Sequence, residues 1–252
     1  MDVAAAYSAD RSLKGKLRRR VARLRRRRPA RLGLQRPVIS FTFDDAPDSA
    51  VLDGAAILEE AGVRGTYYIC AGLYGQQGPM GRYADRDQIA ALAARGHEIG
   101  CHTYGHLDCG RADAATIAAE ADRNAAVLTA AGFGPRHFAW PYGDVSTAGK
   151  QALQDRYGSM RALHPGLVRD GADLNQLPAV GVEGPGGEAR ARAWIDRAVA
   201  DRAWLILYTH DVREGASPWG CTPGALRRLV AAAQARGADI RPVGAVLEGS
   251  PA

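Results

Sequence analysis

The sequence has few aromatic residues and no long apolar segment. Phe, Trp and Tyr make up 7% of its 252 residues. No window approaches the ~20 apolar residues of a membrane span. Arginines interrupt every short apolar run before residue 37, so a secretory signal is not expected there. These absences predict a cytoplasmic protein, with a peripheral position at the inner membrane face as the alternative.

Cysteine is also scarce, and its spacing excludes several kinds of site. The four cysteines, Cys70, Cys101, Cys109 and Cys221, form no CxxC pair, which excludes a zinc ribbon and a thioredoxin-like motif. We expect free thiols. No glycine-rich phosphate loop follows the first predicted strand, which counts against a nucleotide-binding fold.

Positive charge is concentrated at one end of the chain. Residues 1–36 hold thirteen basic and two acidic side chains, a net charge of +11. The other 216 residues hold 20 basic and 25 acidic side chains, a net charge of −5. The overall charge of +6 therefore describes neither part, and the body of the protein is mildly acidic.

The basic arm, residues 1–36, is predicted to be partly helical or disordered. Between residues 12 and 28, aliphatic side chains recur on one side of a potential helix: Leu13, Leu17, Val21 and Leu24. Such a helix could lie on an anionic membrane surface. A solvated, disordered arm is the alternative, because like charges repel one another. Nucleic acid is not an expected partner, since Tyr7 is the only aromatic residue in the arm.

From Pro37 onward, short β-branched or aromatic runs alternate with alanine-rich helical stretches. The predicted strands are 38–43, 66–70, 98–101, 137–140, 204–209 and a short one at Ile240. The predicted helices are 49–61, 86–95, 112–131, 146–154, 188–201 and 222–236. This alternation indicates parallel pairing with right-handed crossovers, and a (β/α) barrel. Residues 155–187 are the least regular part.

Polar residues follow several of the predicted strands. Asp44 and Asp45 follow the first strand, His102 and His106 the third, and His210 a strand near the end of the chain. Barrel enzymes place catalysis at such strand ends because these ends meet at one mouth. Two imidazoles and a carboxylate suit a divalent metal, and the second aspartate can act as a base towards a water molecule. His210 would be the acid.

Four motifs together resemble those of the polysaccharide deacetylase family, also called the NodB-homology domain or carbohydrate esterase family 4. The motifs are Thr42-Phe43-Asp44-Asp45-Ala46-Pro47, His102-Thr103-Tyr104-Gly105-His106, Pro141-Tyr142-Gly143 and Leu207-Tyr208-Thr209-His210. The resemblance implies an α/β fold, a distorted (β/α)₇ barrel, with residues 37–252 as the catalytic domain.

The resemblance also implies roles for individual residues. Asp44 resembles the general base and His210 the general acid, and the backbone N–H of Tyr142 resembles the oxyanion donor. Asp45, His102 and His106 resemble the ligands of a divalent metal, with zinc expected first and cobalt, nickel or manganese as alternatives. The predicted substrate contacts are Trp140, Pro141, Tyr142 and Tyr208.

Three positions depart from the family pattern. Ala46 stands where many members have glycine, and Ala139 where many have an arginine that pairs with the base. The Asp and Trp motif that orients the acid has no clear counterpart, so Asp170 and Asp173 are the candidates to orient His210.

The resemblance implies metal-dependent removal of N-acetyl groups from an N-acetylglucosamine-containing polysaccharide or its lipid-linked precursor. The expected setting is exopolysaccharide biosynthesis, for a capsule, a biofilm or a holdfast-type adhesin. One alternative is a deformylase or deacetylase of a lipid-linked amino sugar. The other is a non-catalytic glycan-binding scaffold, suggested by Ala139 and by the missing orienting motif.

Overall fold

Parallel strands surrounded by helices dominate the computed structural model, which describes residues 13–249. The strands are β1 (Val38–Asp44), β2 (Thr66–Ile69), β3 (Gln77–Gly78), β4 (Gly81–Arg82), β5 (Glu98–Cys101), β6 (His137–Ala139), β7 (Ser159–Arg161), β8 (Val180–Gly181), β9 (Trp204–Thr209) and β10 (Asp239–Ile240). The α-helices are α1 (Leu13–Leu24), α2 (Ala55–Glu60), α3 (Arg86–Ala94), α4 (Ala114–Ala130), α5 (Thr147–Leu153), α6 (Gly187–Ala200), α7 (Pro223–Ala235) and α8 (Val243–Glu248). A π-helical segment, Ala50–Gly54, leads into α2, and 3₁₀ turns span Ala71–Leu73 and Pro141–Gly143.

The main sheet follows the order β7-β6-β5-β2-β1-β9-β8, with every pair parallel. Strand β10 pairs with the start of β1, and β3 and β4 form a separate hairpin. Strand β7 makes backbone hydrogen bonds to the irregular segment 174–177 that precedes β8. For example, Met160 N–H donates to Leu174 O at 2.7 Å. This seven-stranded path confirms the predicted distorted (β/α)₇ barrel.

The central strand is buried on both faces. All seven residues of β1 are buried, as expected for a parallel strand covered by helices. Polar residues just before the helices satisfy their first backbone N–H groups; the N-caps are Asp85, Asp113, Ser146 and Thr222. The four cysteines are free and buried. Within residues 13–249, no helix is long and apolar enough to cross a bilayer.

The described part of the basic arm contacts the barrel. The Arg28 guanidinium donates to Asn175 Oδ1 at 2.7 Å and to Tyr157 O at 2.7 Å. Ala30 N–H donates to Ala172 O at 2.7 Å, and Leu32 is buried. Residues 1–12 of the predicted arm lie outside the described residues. The division of the chain at residue 36 stays a prediction.

A partly buried carboxyl group lies near the amino-terminal end of the barrel. Glu98 accepts hydrogen bonds from Thr66 Oγ1 at 2.7 Å and from Gly244 N–H at 2.9 Å. Burial raises the pKa of Glu98 even though these two donors oppose the shift. A raised folded-state pKa means that ionisation destabilises the fold, so stability is full below the unfolded pKa and falls as the pH rises through the folded pKa.

We therefore expect Glu98→Gln to stabilise the protein at alkaline but not at acidic pH. Glutamine keeps an acceptor for both donors and removes the buried charge. The melting temperature should rise by a few degrees at pH 8, since ~1 kcal/mol shifts it by roughly 2–4 °C in a domain of this size. Near pH 4 the difference should vanish. The exposed Glu60→Gln is the control, and an equal effect at both pH values would contradict the prediction.

Candidate active site and metal centre

Three predicted metal ligands converge at the carboxyl ends of β1 and β5. Asp45 follows β1, whereas His102 and His106 lie in the loop after β5. Asp45 Oδ1 is 3.8 Å from His102 Nε2 and 3.5 Å from His106 Nε2. One ligand atom from each residue lies within 4.8 Å of the others. The structure thus brings together the three ligands that the sequence predicts.

The chemistry of this donor set fits a divalent metal. His102 Nδ1 lies 2.8 Å from Ala139 O, a contact in which the Nδ1 proton donates and the Nε2 lone pair is left for a metal. Burial lowers the pKa of His102 to about 4, although Asp44 and Asp45 oppose the shift. The ring is therefore neutral at physiological pH, the state that binds metal. Two imidazoles and a carboxylate suit zinc and several other divalent ions.

Backbone strain is concentrated around these ligands. Of the seven non-glycine residues with positive φ in the described chain, five are at this site: Asp45, Ala46, Thr103, His106 and Tyr142. Left-handed backbone is uncommon outside glycine and often marks functional sites. Ala46 has a φ of 52°, a conformation that glycine adopts without strain, which fits the glycine that the resembled family often has at this position.

The predicted base has a buried cationic partner. Arg161 Nη2 donates to Asp44 Oδ1 at 2.5 Å, and the two side chains are 0% and 3% exposed. Burial alone would raise the pKa of Asp44, but Arg161, assisted by His102 and His210, outweighs it and lowers the pKa below its ordinary value. Asp44 is therefore a carboxylate at neutral pH.

Arg161 supplies the positive charge that Ala139 lacks. In the sheet register, Ala139 of β6 lies opposite Arg161 of β7. The cation that many family members carry in the third motif is thus supplied here by the neighbouring strand. The sequence does contain a signal for it, a single arginine within the apolar context Met160-Arg161-Ala162, but β7 itself was not predicted.

His210 has an acidic neighbour that the sequence did not identify. Its Nδ1 lies 3.1 Å from Trp219 O and 3.8 Å from Glu183 Oε2. Tyr208 Oη donates to Glu183 Oε1 at 2.9 Å, which fixes the carboxylate. Burial raises the pKa of Glu183, whereas His210 and Tyr208 favour its ionised form. The Glu183 carboxylate therefore lies beside the Nδ1 atom of His210, which is within hydrogen-bond distance of Trp219 O.

The prediction that Asp170 or Asp173 orients His210 is wrong. Asp170 accepts the Leu32 N–H at 2.5 Å, and Asp173 pairs with Lys150 Nζ at 2.6 Å. Both carboxylates thus bind backbone or cations on the side of the barrel that carries the basic arm. They were proposed from their position in the sequence, which gives no information about this packing.

The predicted substrate contacts need a further correction. Trp140 is fully buried, packs against Phe138 and donates its indole N–H to Asn175 O, so it supports the site from below and cannot contact a glycan. Pro141 is buried, and Tyr208 is only 7% exposed. Tyr142 is 38% exposed, and its ring packs edge-on against His106 with centroids 4.4 Å apart. Of the four, Tyr142 alone presents a substantial accessible surface.

A family model described as polysaccharide deacetylase matches residues 32–157, half of the chain. The chain belongs to the polysaccharide deacetylase family. The resemblance read from the four motifs is thereby confirmed. The matched region holds Asp44, the three metal-ligand candidates and Tyr142, whereas Arg161, Glu183 and His210 lie beyond it.

Individual relatives of this deacetylase-family chain agree with the assignment. A chitooligosaccharide deacetylase from Sinorhizobium fredii is 35% identical over 135 residues, which cover 48% of this chain and 56% of that protein. The match thus spans about half the length of the relative. The chitin deacetylase of Colletotrichum lindemuthianum has the same fold, with a TM-score of 0.63, 20% identity and coverage of 87% and 92%. So does a mutant of a CE4 family pseudoenzyme, with a TM-score of 0.61, 13% identity and coverage of 86% and 70%.

Proposed function

We propose that this chain hydrolyses N-acetyl amides of N-acetylglucosamine-containing glycans. The observation that carries the proposal is the buried Asp44–Arg161 pair beside the cluster of Asp45, His102 and His106. It provides an ionised base next to a donor set that suits a metal. The curated relative named above is a chitooligosaccharide deacetylase, which supports the substrate class.

The attacking group in this reaction is water, and Asp44 is placed to take its proton. A divalent metal, proposed to be zinc, would be held by Asp45, His102 and His106 and would supply Lewis-acid polarisation of the amide carbonyl. Arg161 keeps Asp44 ionised and fixes the carboxylate by donating to Oδ1. The other carboxylate oxygen is then the one that accepts a proton.

His210 protonates the leaving nitrogen in the proposed reaction. Trp219 O and Glu183 hold the Nδ1 side of its ring, so Nε2 is the nitrogen that can give a proton to substrate. The developing oxyanion is proposed to meet the backbone N–H of Tyr142. The left-handed conformation of Tyr142 and its ring contact with His106 place this backbone beside the metal ligands.

The proposed substrate is a polysaccharide or a lipid-linked precursor used in exopolysaccharide biosynthesis, such as that of a capsule, a biofilm or a holdfast-type adhesin. The alternative of a non-catalytic glycan-binding scaffold was suggested by Ala139 and by the missing orienting motif. Ala139 no longer supports it, because Arg161 supplies the cation that is missing at position 139. The missing orienting motif supports it less, because Glu183 lies beside His210. The deformylase alternative is tested by comparing hydrolysis of the same amino sugar carrying an N-formyl or an N-acetyl group.

Acetate release from short N-acetylglucosamine oligomers tests the proposal. The protein is assayed after removal of metals by chelation and again after addition of zinc, cobalt, nickel or manganese. We expect activity only after metal addition. Full activity of the metal-free protein would overturn the role of Asp45, His102 and His106. No acetate release under any metal, from protein that binds metal stoichiometrically, would overturn the reaction itself.

Glu183→Gln tests whether Glu183 positions His210. We expect kcat to fall about tenfold, equivalent to ~1.4 kcal/mol of barrier. KM should change little, because Glu183 acts on the orientation of His210. Glu183→Asp, which keeps the charge, should restore part of the rate. Tyr208→Phe removes only the hydroxyl that binds Glu183 and keeps the carboxylate, so it should lower kcat by less than Glu183→Gln does. A kcat in Glu183→Asp as low as that of Glu183→Gln would contradict the positioning role.

A further inference from the structure

Helix α1 packs against the barrel through its small residues and exposes its aliphatic side chains, which is the reverse of an ordinary amphipathic helix. Among the α1 residues whose burial is described, the buried ones are the small residues Gly15 and Ala22, and α1 contacts α5. Its aliphatic side chains face solvent instead, with exposed fractions of 84% for Leu13, 62% for Leu17, 38% for Val21 and 72% for Leu24. We call these four residues the α1 stripe. An exposed apolar stripe of this kind marks an interaction surface.

Polar contacts hold the stripe in its outward orientation. Lys150, fully buried in α5, donates from Nζ to Ala22 O at 2.5 Å. Arg18 pairs with Asp144 at 2.9 Å, and the Asp144 side chain is 1% exposed. Because α1 is fastened at two points along its length, turning its leucines inward would break both contacts.

The charges around the stripe identify its partner. Five arginines in the second half of α1 or just after it are exposed: Arg20, Arg23, Arg25, Arg26 and Arg27. We infer that the α1 stripe and these arginines form a docking surface for an anionic lipid bilayer. Leucines enter the headgroup boundary while arginines bind acidic headgroups, as in interfacial helices. A second copy of the chain would bring two arginine clusters together, and their like charges would repel.

The docking surface begins beside the active-site mouth. Asp144, the partner of Arg18, follows the 3₁₀ turn that contains Tyr142. A helix is about 10 Å across, so a bilayer on the outer face of α1 lies roughly that far from this turn. If the proposed function holds, on which this step rests, a glycan attached to a membrane lipid would be held close to the mouth.

Vesicle sedimentation of the full chain tests the docking surface. One set of vesicles contains phosphatidylcholine with phosphatidylglycerol, and the other phosphatidylcholine alone. We expect binding to the anionic vesicles only, reduced by salt, and weakened at least about tenfold in the double variant Leu17→Glu, Leu24→Glu. Leu52→Glu is the matched control: this leucine is 53% exposed, lies outside the stripe and should bind like the unmodified chain.

Equal binding by the double variant and the Leu52→Glu control would overturn the inference. So would a double variant that changes the oligomeric state in size-exclusion chromatography without changing vesicle binding, since a second copy would then cover the stripe. Acetate release from soluble oligomers is measured in the same preparations and should be unchanged. Its complete absence from every preparation would count against the proposed function, whereas vesicle binding would still stand.

Discussion

Asp44→Asn is expected to abolish acetate release while leaving the metal in place. Removal of a general base lowers the rate by roughly 10²–10⁴-fold. Asparagine keeps the size of the side chain and an oxygen that can accept from Arg161, so the local geometry should survive. Metal content should survive as well, because the ligand set of Asp45, His102 and His106 is complete without Asp44.

The adjacent aspartate provides the matched comparison. Asp45→Asn makes the same chemical change one residue along the chain, but there it removes the negative ligand of the cluster. We expect this variant to lose both activity and bound metal, measured by elemental analysis after dialysis. Equal metal loss in the two variants would show that the roles of Asp44 and Asp45 are not separate. Activity retained in Asp44→Asn would show that Asp44 is not the base.

The regular part of the fold was predictable because its signals are local. The runs 38–43 and 204–209 consist mostly of apolar, aromatic or β-branched residues, and 98–101 is a short run between two helical stretches. The sequence predicts all three as strands, to within one residue of β1, β9 and β5. The strands of two and three residues, β8 and β7, lie within 155–187 and were missed. Periodicity needs several residues to be visible, and such short strands exist only through the neighbours with which they pair.

The site divides in the same way between local and long-range signals. Asp45, His102 and His106 were identified because each directly follows a strand or lies one turn beyond a ligand. Arg161 and Glu183 were missed, since their roles depend on which strands become neighbours. The prediction of Trp140 as a substrate contact is wrong because an aromatic residue beside a motif is typical of a sugar-binding surface. The sequence does not show that this side chain faces the core.

Arg161→Ala is expected to damage both activity and stability. Asp44 would be left buried without its cation, and breaking a buried pair in this way costs about 3–5 kcal/mol of stability. The carboxylate would also lose the donor that orients it and keeps it ionised, so we expect acetate release to fall at least about 10²-fold. Arg161→Lys should restore part of the stability through its charge, but less of the rate, because an ammonium lacks the planar fork of a guanidinium.

The decisive measurement moves the cation to the neighbouring strand. Ala139 and Arg161 are register partners on β6 and β7, about 4.8 Å apart in a sheet, so Ala139→Arg in the Arg161→Ala background places a guanidinium within reach of Asp44. We expect part of the activity and stability to return, because the carboxylate needs a buried cation and not a particular strand to supply it. The contact between His102 and Ala139 uses the backbone carbonyl and survives the change.

Ala139→Arg alone should be destabilising, since two buried guanidiniums would then share one carboxylate. Full activity of Arg161→Ala would show that Asp44 needs no cation, and a double variant no better than Arg161→Ala would show that the strand does matter.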